Sequence, residues 1–210
     1  MTTNFKLHEL FSVPVATIQM PKLDYSLKDK LINSKEVVER PNPNSEDNTL
    51  TVLDDFLDLK NLITTEVQNF VHDCLGYSRE VNFQMTNSWI SMQPPNQPVY
   101  MHSHANSLVS AVYYLKTPQN CGRLIMHKRK HYDNMFSETV HIPVTNHSPV
   151  SANAWVFDVT EDMLIIFPSN LEHSVEPNSS QQDRYSLACN FFAYGTFGYD
   201  NVKQLEIKDD

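Results

Sequence analysis

The feature that most constrains the fold is a change of hydrophobic period near Gly76. Before it, residues 54–75 repeat apolar side chains at helical spacing, and the glycine stands where a C-terminal cap belongs. From Val81 onward, apolar and polar residues alternate in short runs that are typical of strands. This order predicts a mainly β domain with supporting helices. The helical stripe comprises Leu59, Leu62, Ile63, Phe70, Val71 and Cys74.

The N-terminal part of the chain is predicted to hold one strand and two helices. Residues 10–18 alternate as a strand, and Pro14 favours a position at the edge of a sheet. Residues 23–40 are predicted to form the first helix, because Pro41 ends the pattern. Residues 41–48 form a loop by composition.

We predict a double-stranded β-helix of about eight strands, a jelly roll or cupin-like fold, packed against N-terminal helices. The length of 210 residues suits a single domain, 1–210. Within it, residues 1–80 would be mostly helical support with an N-terminal strand, and residues 81–200 the jelly-roll core. Residues 128–153 have few apolar runs and are predicted to leave the sheet as a long excursion, in the role of a lid. This excursion contains His131, His141 and His147.

Composition argues against several classes of function. The net charge of −9 argues against binding to nucleic acid or to anionic membranes. No apolar run approaches the roughly 20 residues of a membrane span, and the N-terminus lacks the pattern of a signal peptide. The three cysteines include no Cys-x-x-Cys pair, which indicates reduced side chains. We therefore expect a cytoplasmic protein.

Three histidines stand at positions that suit a metal site. If residues 102–104 are extended, His102 and His104 share one face of a strand. His173 follows an apolar strand and a Pro-Ser-Asn turn and opens the next strand. By itself, a His-x-His pair is more typical of hydrogen-bonded histidines at the rim of a fold. A facial set of three ligands with open positions is what an oxygenase-type iron(II) site requires.

A second candidate group lies in the strand that follows. Arg184 and Ser186 share a face by the same alternation. Guanidinium pairs with carboxylate through two parallel hydrogen bonds, so an arginine beside a hydroxyl suits a carboxylate ligand. A structural ion pair explains Arg184 equally well from the sequence alone.

These segments resemble the 2-oxoglutarate- and iron(II)-dependent oxygenases, in particular small prolyl-hydroxylase-like members from marine phage and bacterial genomes. The first motif is His-x-His followed by Ser-Leu-Val-Ser-Ala-Val-Tyr-Tyr-Leu at residues 107–115. The second is Phe-Pro-Ser-x-Leu-x-His-x-Val-x-Pro-Asn at residues 167–178. The third is Arg-x-Ser in a strand that ends near Asn190. Together the motifs span most of the chain.

The resemblance implies a role for each motif residue. His102 would be the first metal ligand and His173 the distal one, while Arg184 and Ser186 would bind the distal carboxylate of 2-oxoglutarate. Tyr114 would contact the same carboxylate. Gly122 and Leu124 would belong to the next strand, which lines the co-substrate pocket.

One position departs from the family pattern. Most members have Asp or Glu two residues after the first histidine, and this chain has His104. A neutral imidazole there leaves the iron one unit more positive. We predict His104 as a third ligand, with the alternative that it turns away and leaves a two-histidine site.

The predicted function is an iron(II)-dependent dioxygenase that uses 2-oxoglutarate and O2 as co-substrates, most simply a hydroxylase. Its substrate is a small molecule or a protein side chain, and its oligomeric state is not readable from the sequence. If the gene is a phage gene, its product acts in the host cytoplasm. Two alternatives stay open: a cupin-like three-histidine dioxygenase without 2-oxoglutarate, and a non-catalytic jelly-roll binding module.

Overall fold

Two β-sheets account for most of the described part of the chain. The computed structural model describes residues 12–34, 37–39, 51–128, 143, 145, 148–149, 151–198 and 203–208. The predicted loop at 41–48 and most of the predicted excursion, with its three histidines, lie outside the described residues. The strands are β1 (Ala16–Gln19), β2 (Val37–Glu39), β3 (Val81–Gln93), β4 (Val99–His102), β5 (Val109–Lys116), β6 (Leu124–His127), β7 (Ala154–Phe157), β8 (Met163–Pro168), β9 (His173–Val175), β10 (Arg184–Phe197) and β11 (Leu205–Ile207).

The larger sheet has the strand order β1-β8-β5-β10-β3-β2, and β11 pairs with the end of β10. Its pairs are antiparallel except for β2, which runs parallel to β3. The smaller sheet has the order β4-β9-β6-β7 and is antiparallel throughout. From β3 to β10, successive strands alternate between the two sheets except for the hairpin of β6 and β7, which lies within the smaller sheet, and this is the pattern of a jelly roll. The predicted fold class is therefore confirmed.

Helices cover the outer face of the larger sheet. They are α1 (Tyr25–Ile32) and α2 (Leu57–Asn69), and α2 is preceded by a 3₁₀ turn at Val52–Asp55 and followed by a π-helical turn at Phe70–Cys74. The stripe predicted over residues 54–75 supplies the buried side of α2 and of the π-helical turn, except for Cys74 at its end, which is exposed. The helix α2 packs on β3 and β5.

The first helix is shorter than the sequence predicts. It is capped by the Asp24 side chain, which accepts a hydrogen bond from the Ser26 N–H at 2.8 Å, and it ends at Ile32. Asn33 then closes the last turn by bonding back to the Asp29 carbonyl. The prediction of helix through residue 40 is wrong at residues 37–39, which form β2. The β-branched pair at 37–38 instead pairs with β3, where backbone groups at a sheet edge need partners.

Alternation along the strands of the larger sheet divides its side chains between two cores. One face packs against the helices and is apolar, as in Val109, Ala111, Tyr113, Leu164, Ile166, Leu187, Cys189 and Phe191. The other face meets the smaller sheet, and this second core holds Tyr114, Leu124, Met126, Ile165, Phe167, Leu171 and Val175. A shift of one residue therefore moves a side chain from the helix side to the space between the sheets.

The first strand lies at the edge of the larger sheet, as Pro14 predicts, although it covers only the end of the predicted segment. None of the helices in the described ranges is long and apolar enough to cross a membrane.

Candidate metal and co-substrate site

A cavity opens between the two sheets, and all seven site residues that the sequence predicts line it. The larger sheet contributes side chains from β3, β5 and β10, and the smaller sheet contributes β4, β6 and β9. The predicted residues on its walls are His102, His104, Tyr114, Leu124, His173, Arg184 and Ser186.

Strand register determines which side chains form the larger-sheet wall. Ser186 pairs with Tyr114 on one neighbouring strand and with Ser91 on the other. Arg184 lies opposite Gln93, at the start of β10. Because facing residues in paired strands project to the same side, these five side chains form one continuous polar wall.

The three histidines converge although they come from different local structures. His102 ends β4 and is paired with His173, which opens β9. The strand ends at His102, so His104 lies in the following loop rather than on the predicted strand face. Its backbone N–H donates to the Ser169 carbonyl at 2.8 Å, and this bond turns the loop toward the cavity. One nitrogen from each ring lies within 4.8 Å of the others.

Hydrogen bonds to backbone carbonyls fix the tautomers of His102 and His173. The Nδ1 atoms of His102 and His173 lie 2.8 and 2.9 Å from the carbonyl oxygens of Tyr100 and Leu171. A carbonyl oxygen only accepts, so Nδ1 carries the proton in both rings and the lone pair is on Nε2. This arrangement is common for metal-binding histidines, whose second nitrogen donates to a protein oxygen.

His173 is neutral near pH 7. Burial lowers its pKa well below the usual value, and the neighbouring His102 and His104 lower it further. A neutral imidazole offers a lone pair to a metal without first losing a proton.

Arg184 is a buried cation without an acidic partner. Its side chain is 3% exposed, and one terminal nitrogen donates to Gln93 Oε1 at 3.1 Å and to the Gly122 carbonyl at 3.4 Å. No Asp or Glu oxygen lies within 4.0 Å of it in the described part of the chain. The Nε of Arg184 and the Tyr114 hydroxyl are buried without a hydrogen-bond partner among the described residues.

The Tyr114 ring lies against this guanidinium, 5.0 Å from ring centroid to Cζ. Burial raises the pKa of Tyr114, and the charge of Arg184 offsets only part of that rise. The hydroxyl is therefore protonated and can donate. Two residues of the cavity wall thus carry a buried donor that has no acceptor among the described residues.

Gln93 and Gly122 hold Arg184 in place, and the role of Gln93 was not predicted from the sequence. The Gln93 amide donates to the carbonyls of Gln97 and Glu176, which leaves its oxygen to accept from the arginine. Gly122 has φ +86°, and a Cβ there would lie 2.4 Å from the Glu176 carbonyl oxygen. Only glycine lets these two segments cross at this distance.

Sequence reasoning also missed the polar residues behind His104. Ser110 and Asn190 pair across β5 and β10 and face the cavity side of the sheet. Asn190 has the same parity as Arg184 and Ser186, so strand alternation could have placed it on this wall. The Trp89 ring lies 5.6 Å from the His104 ring.

Comparison with known proteins identifies a family to which part of the sequence is similar. Residues 87–190 match a family model described as "Putative 2OG-Fe(II) oxygenase". No match was found among curated protein sequences.

Similar solved structures include an oxidoreductase of the 2OG-Fe(II) oxygenase family from Burkholderia pseudomallei, at 17% identity and TM-score 0.48. That similarity covers 68% of this chain and 56% of the other. A Pseudomonas putida prolyl-4-hydroxylase is 18% identical with TM-score 0.40, over 71% of this chain and 65% of its own. The chain therefore spans less than two thirds of the length of either protein.

The family match includes the segments that carry the histidines and the first half of β10, as far as Asn190. Over residues 87–190 the chain belongs to the 2-oxoglutarate- and iron(II)-dependent oxygenases, a superfamily that uses iron(II), 2-oxoglutarate and O2, and His102, His104 and His173 form its candidate iron site.

Proposed function

We propose that this protein is a 2-oxoglutarate-dependent dioxygenase that hydroxylates a substrate still to be identified. In this proposal His102, His104 and His173 hold iron(II), while Arg184, Ser186 and Tyr114 bind the distal carboxylate of 2-oxoglutarate. Leu124 forms part of the apolar wall between these two groups. Iron(II), once bound, supplies the oxygen chemistry that couples decarboxylation of 2-oxoglutarate to substrate oxidation.

The observation that carries the proposal is the unsatisfied pair of donors in the cavity. A buried guanidinium without a counter-ion is costly to the fold, and an unpartnered buried hydroxyl adds to that cost. A carboxylate in the cavity would satisfy both the Arg184 Nε–H and the Tyr114 O–H. Guanidinium binds a carboxylate with two donors, which orients the co-substrate as well as attracting it.

The histidines fit a divalent transition metal. Imidazole is a suitable donor for iron, and neutral rings with the lone pair on Nε2 need no rearrangement of protons. The set contains no carboxylate, so it compensates none of the metal's charge. A dianionic co-substrate that also meets Arg184 would supply the missing negative charge.

The presence of His104 instead of a carboxylate favours one alternative. A three-histidine dioxygenase of the cupin type would bind its substrate directly to the metal and use no 2-oxoglutarate. Arg184 and Tyr114 would then hold a carboxylate of the substrate itself. The two functions differ in one product, since only the first yields succinate.

The substrate class and the location belong to the same proposal. We infer a small molecule or a protein side chain as substrate, acted on in the cytoplasm. The described cysteines are unpaired: Cys121 and Cys189 are buried and Cys74 is exposed. Unpaired thiols suit a reducing compartment.

The test is anaerobic iron(II) binding with and without 2-oxoglutarate, followed by the visible spectrum and by succinate release in air. We expect an absorption band that needs both iron(II) and 2-oxoglutarate. Arg184→Gln should lose the band while it still binds iron. Arg79→Gln is the matched control, because that arginine is exposed and pairs with Asp73.

Each outcome selects one function. Iron binding without the band and without succinate would support the three-histidine alternative. No iron binding by the wild type, or full binding by His173→Ala, would leave the non-catalytic binding module.

A further inference from the structure

Behind His104 lies a buried hydrogen-bond network of three side chains, Ser110, Ser169 and Asn190. Asn190 Oδ1 lies 2.6 Å from His104 Nδ1, and Ser110 Oγ lies 2.8 Å from the same nitrogen. Ser110 also bonds Asn190 Oδ1 at 2.9 Å and Ser169 Oγ at 2.8 Å. Asn190 is 4% exposed, and the two serines are fully buried.

Counting protons in this network assigns the tautomer of His104. An amide oxygen only accepts, so the bond to Asn190 requires the hydrogen on Nδ1. Ser110 then gives its own hydrogen to the same amide oxygen. The lone pair of His104 is consequently on Nε2, as it is in His102 and His173.

The backbone of the loop that carries His104 is held by Ser169, which follows β8, and by Phe191 of β10. Ser169 accepts from the His104 N–H and donates its own N–H to the Leu108 carbonyl at 3.0 Å, while the Leu108 N–H donates to the Phe191 carbonyl at 2.9 Å. The chain therefore fixes the position of the ring at its base, and Asn190 fixes its rotation and tautomer. For His102 and His173, a backbone carbonyl oxygen instead fixes the rotation and tautomer of the ring.

We propose that Asn190 is the positioning residue that makes His104 the third metal donor, through its side-chain oxygen. The inference rests on the proposed function, because it concerns the same metal site. Asn190 accepts the Nδ1–H of His104 and so leaves the Nε2 lone pair for the metal. It acts through His104 and does not itself touch the metal.

An amide also suits the family's more common residue at position 104. Its NH₂ end can donate to a carboxylate and its oxygen can accept from an imidazole. Asp at position 190 can accept only, so it would suit a histidine and repel a carboxylate. Asn190→Asp should therefore bind metal in the wild-type background and fail in the His104→Asp background.

The test is the affinity for cobalt(II), measured by its visible spectrum against a competing chelator, in a double-mutant cycle. We expect Asn190→Ala to weaken cobalt binding about 10- to 100-fold. In the His104→Ala background the same change should have no further effect beyond about twofold. Asn190→Asp should bind cobalt(II) at least as tightly as the wild type. If the alanine variant does not fold, this second variant still tests the role of the side-chain oxygen. Asn178→Ala is the control, because it removes a fully buried asparagine whose amide bonds lie at Gln93 and Gln182.

The outcomes separate this inference from the function on which it rests. Cobalt binding by the wild type that Asn190→Ala leaves unchanged, or weakens equally with and without His104, would overturn the role of Asn190 alone. No cobalt binding by the wild type would overturn the proposed metal site, and the role of Asn190 with it. The control should lower thermal stability and leave cobalt affinity within about threefold of the wild type.

Discussion

Two buried cations lie on opposite sides of the larger sheet, and their surroundings differ completely. Lys28 on α1 is 4% exposed, and its ammonium lies 2.9 Å from Asp162 and 3.2 Å from Glu161. Arg184 is as deeply buried, but its partners are the neutral oxygens of Gln93 and Gly122.

The Lys28 site is complete without a ligand. Asp162 also accepts from the Tyr113 hydroxyl at 2.6 Å and from the Leu23 N–H at 3.2 Å, so one carboxylate ties α1 to the sheet and to the turn before β8. Burial alone would lower the pKa of Lys28, yet the two carboxylates raise it. A cation that is compensated in this way stabilises the fold, and a cation left uncompensated in a cavity is available to a ligand.

The largest effect should come from breaking the compensated site. Asp162→Asn leaves the Lys28 charge with a single acidic partner, and we expect a loss of about 3 kcal/mol in the free energy of unfolding. Asparagine tolerates the left-handed backbone at this position, φ +61°, so the change tests the charge rather than the turn. Urea denaturation measures the free energy of unfolding of both proteins. A loss below about 1 kcal/mol would show that Lys28 does not need the carboxylate.

Removing the uncompensated cation, by contrast, should stabilise the ligand-free protein. Arg184→Met takes an unpaired charge out of the interior, and we expect unfolding to become about 1 kcal/mol less favourable. The same variant should lose about 100-fold in affinity for 2-oxoglutarate, because it lacks the charged donor. Thermal unfolding with iron(II), with and without 2-oxoglutarate, gives both quantities. Equal stabilisation of wild type and variant by 2-oxoglutarate would contradict the assignment.

Acid should affect the helix side of the sheet through Asp162. Although burial opposes the shift, hydrogen bonds from Tyr113 and Lys28 lower the pKa of this carboxyl below 3.8. Its contribution is therefore complete above pH 3.8 and is lost as the pH falls through the lower, folded-state pKa. We expect the stability of the wild type to fall faster than that of Asp162→Asn in this range. Parallel slopes of stability against pH would rule out the linkage.

The smallest effect should come from the hydroxyl beside Arg184. Ser186→Ala removes one neutral donor from the cavity wall and keeps the guanidinium, so we expect about a fivefold loss in affinity for 2-oxoglutarate, with unchanged iron binding. Calorimetric titration of the iron-loaded variant under anaerobic conditions measures the loss. A loss as large as that of Arg184→Met would mean that Ser186, rather than the arginine, dominates carboxylate binding.

Several elements could be predicted because local chemistry decides them. Alternation placed Arg184 and Ser186 on one face, and the structure finds both in the cavity. The prediction of a helix through residue 40 is wrong because Val37 and Val38 pair with β3, a long-range contact that no local pattern reveals. The prediction of a strand through His104 is wrong for a related reason, because the carbonyl of Ser169, 65 residues further on, accepts the His104 N–H and holds that segment as a loop. The metal and co-substrate roles of the predicted residues stay predictions for the experiments above.

The sequence by itself determined the class of fold and the kinds of side chain in the cavity. Hydrophobic period is a property of neighbouring residues, and so are the two histidine segments and the Arg-x-Ser pair. Tertiary structure alone decided which charges are compensated. Lys28 and Asp162 are far apart in the chain, and so are Arg184 and Gln93, and the packing of α1 and the register of β3 on β10 bring each pair together. Whether a buried cation holds the fold or awaits a ligand depends on those distant partners, because the energy of a charge is set by what surrounds it.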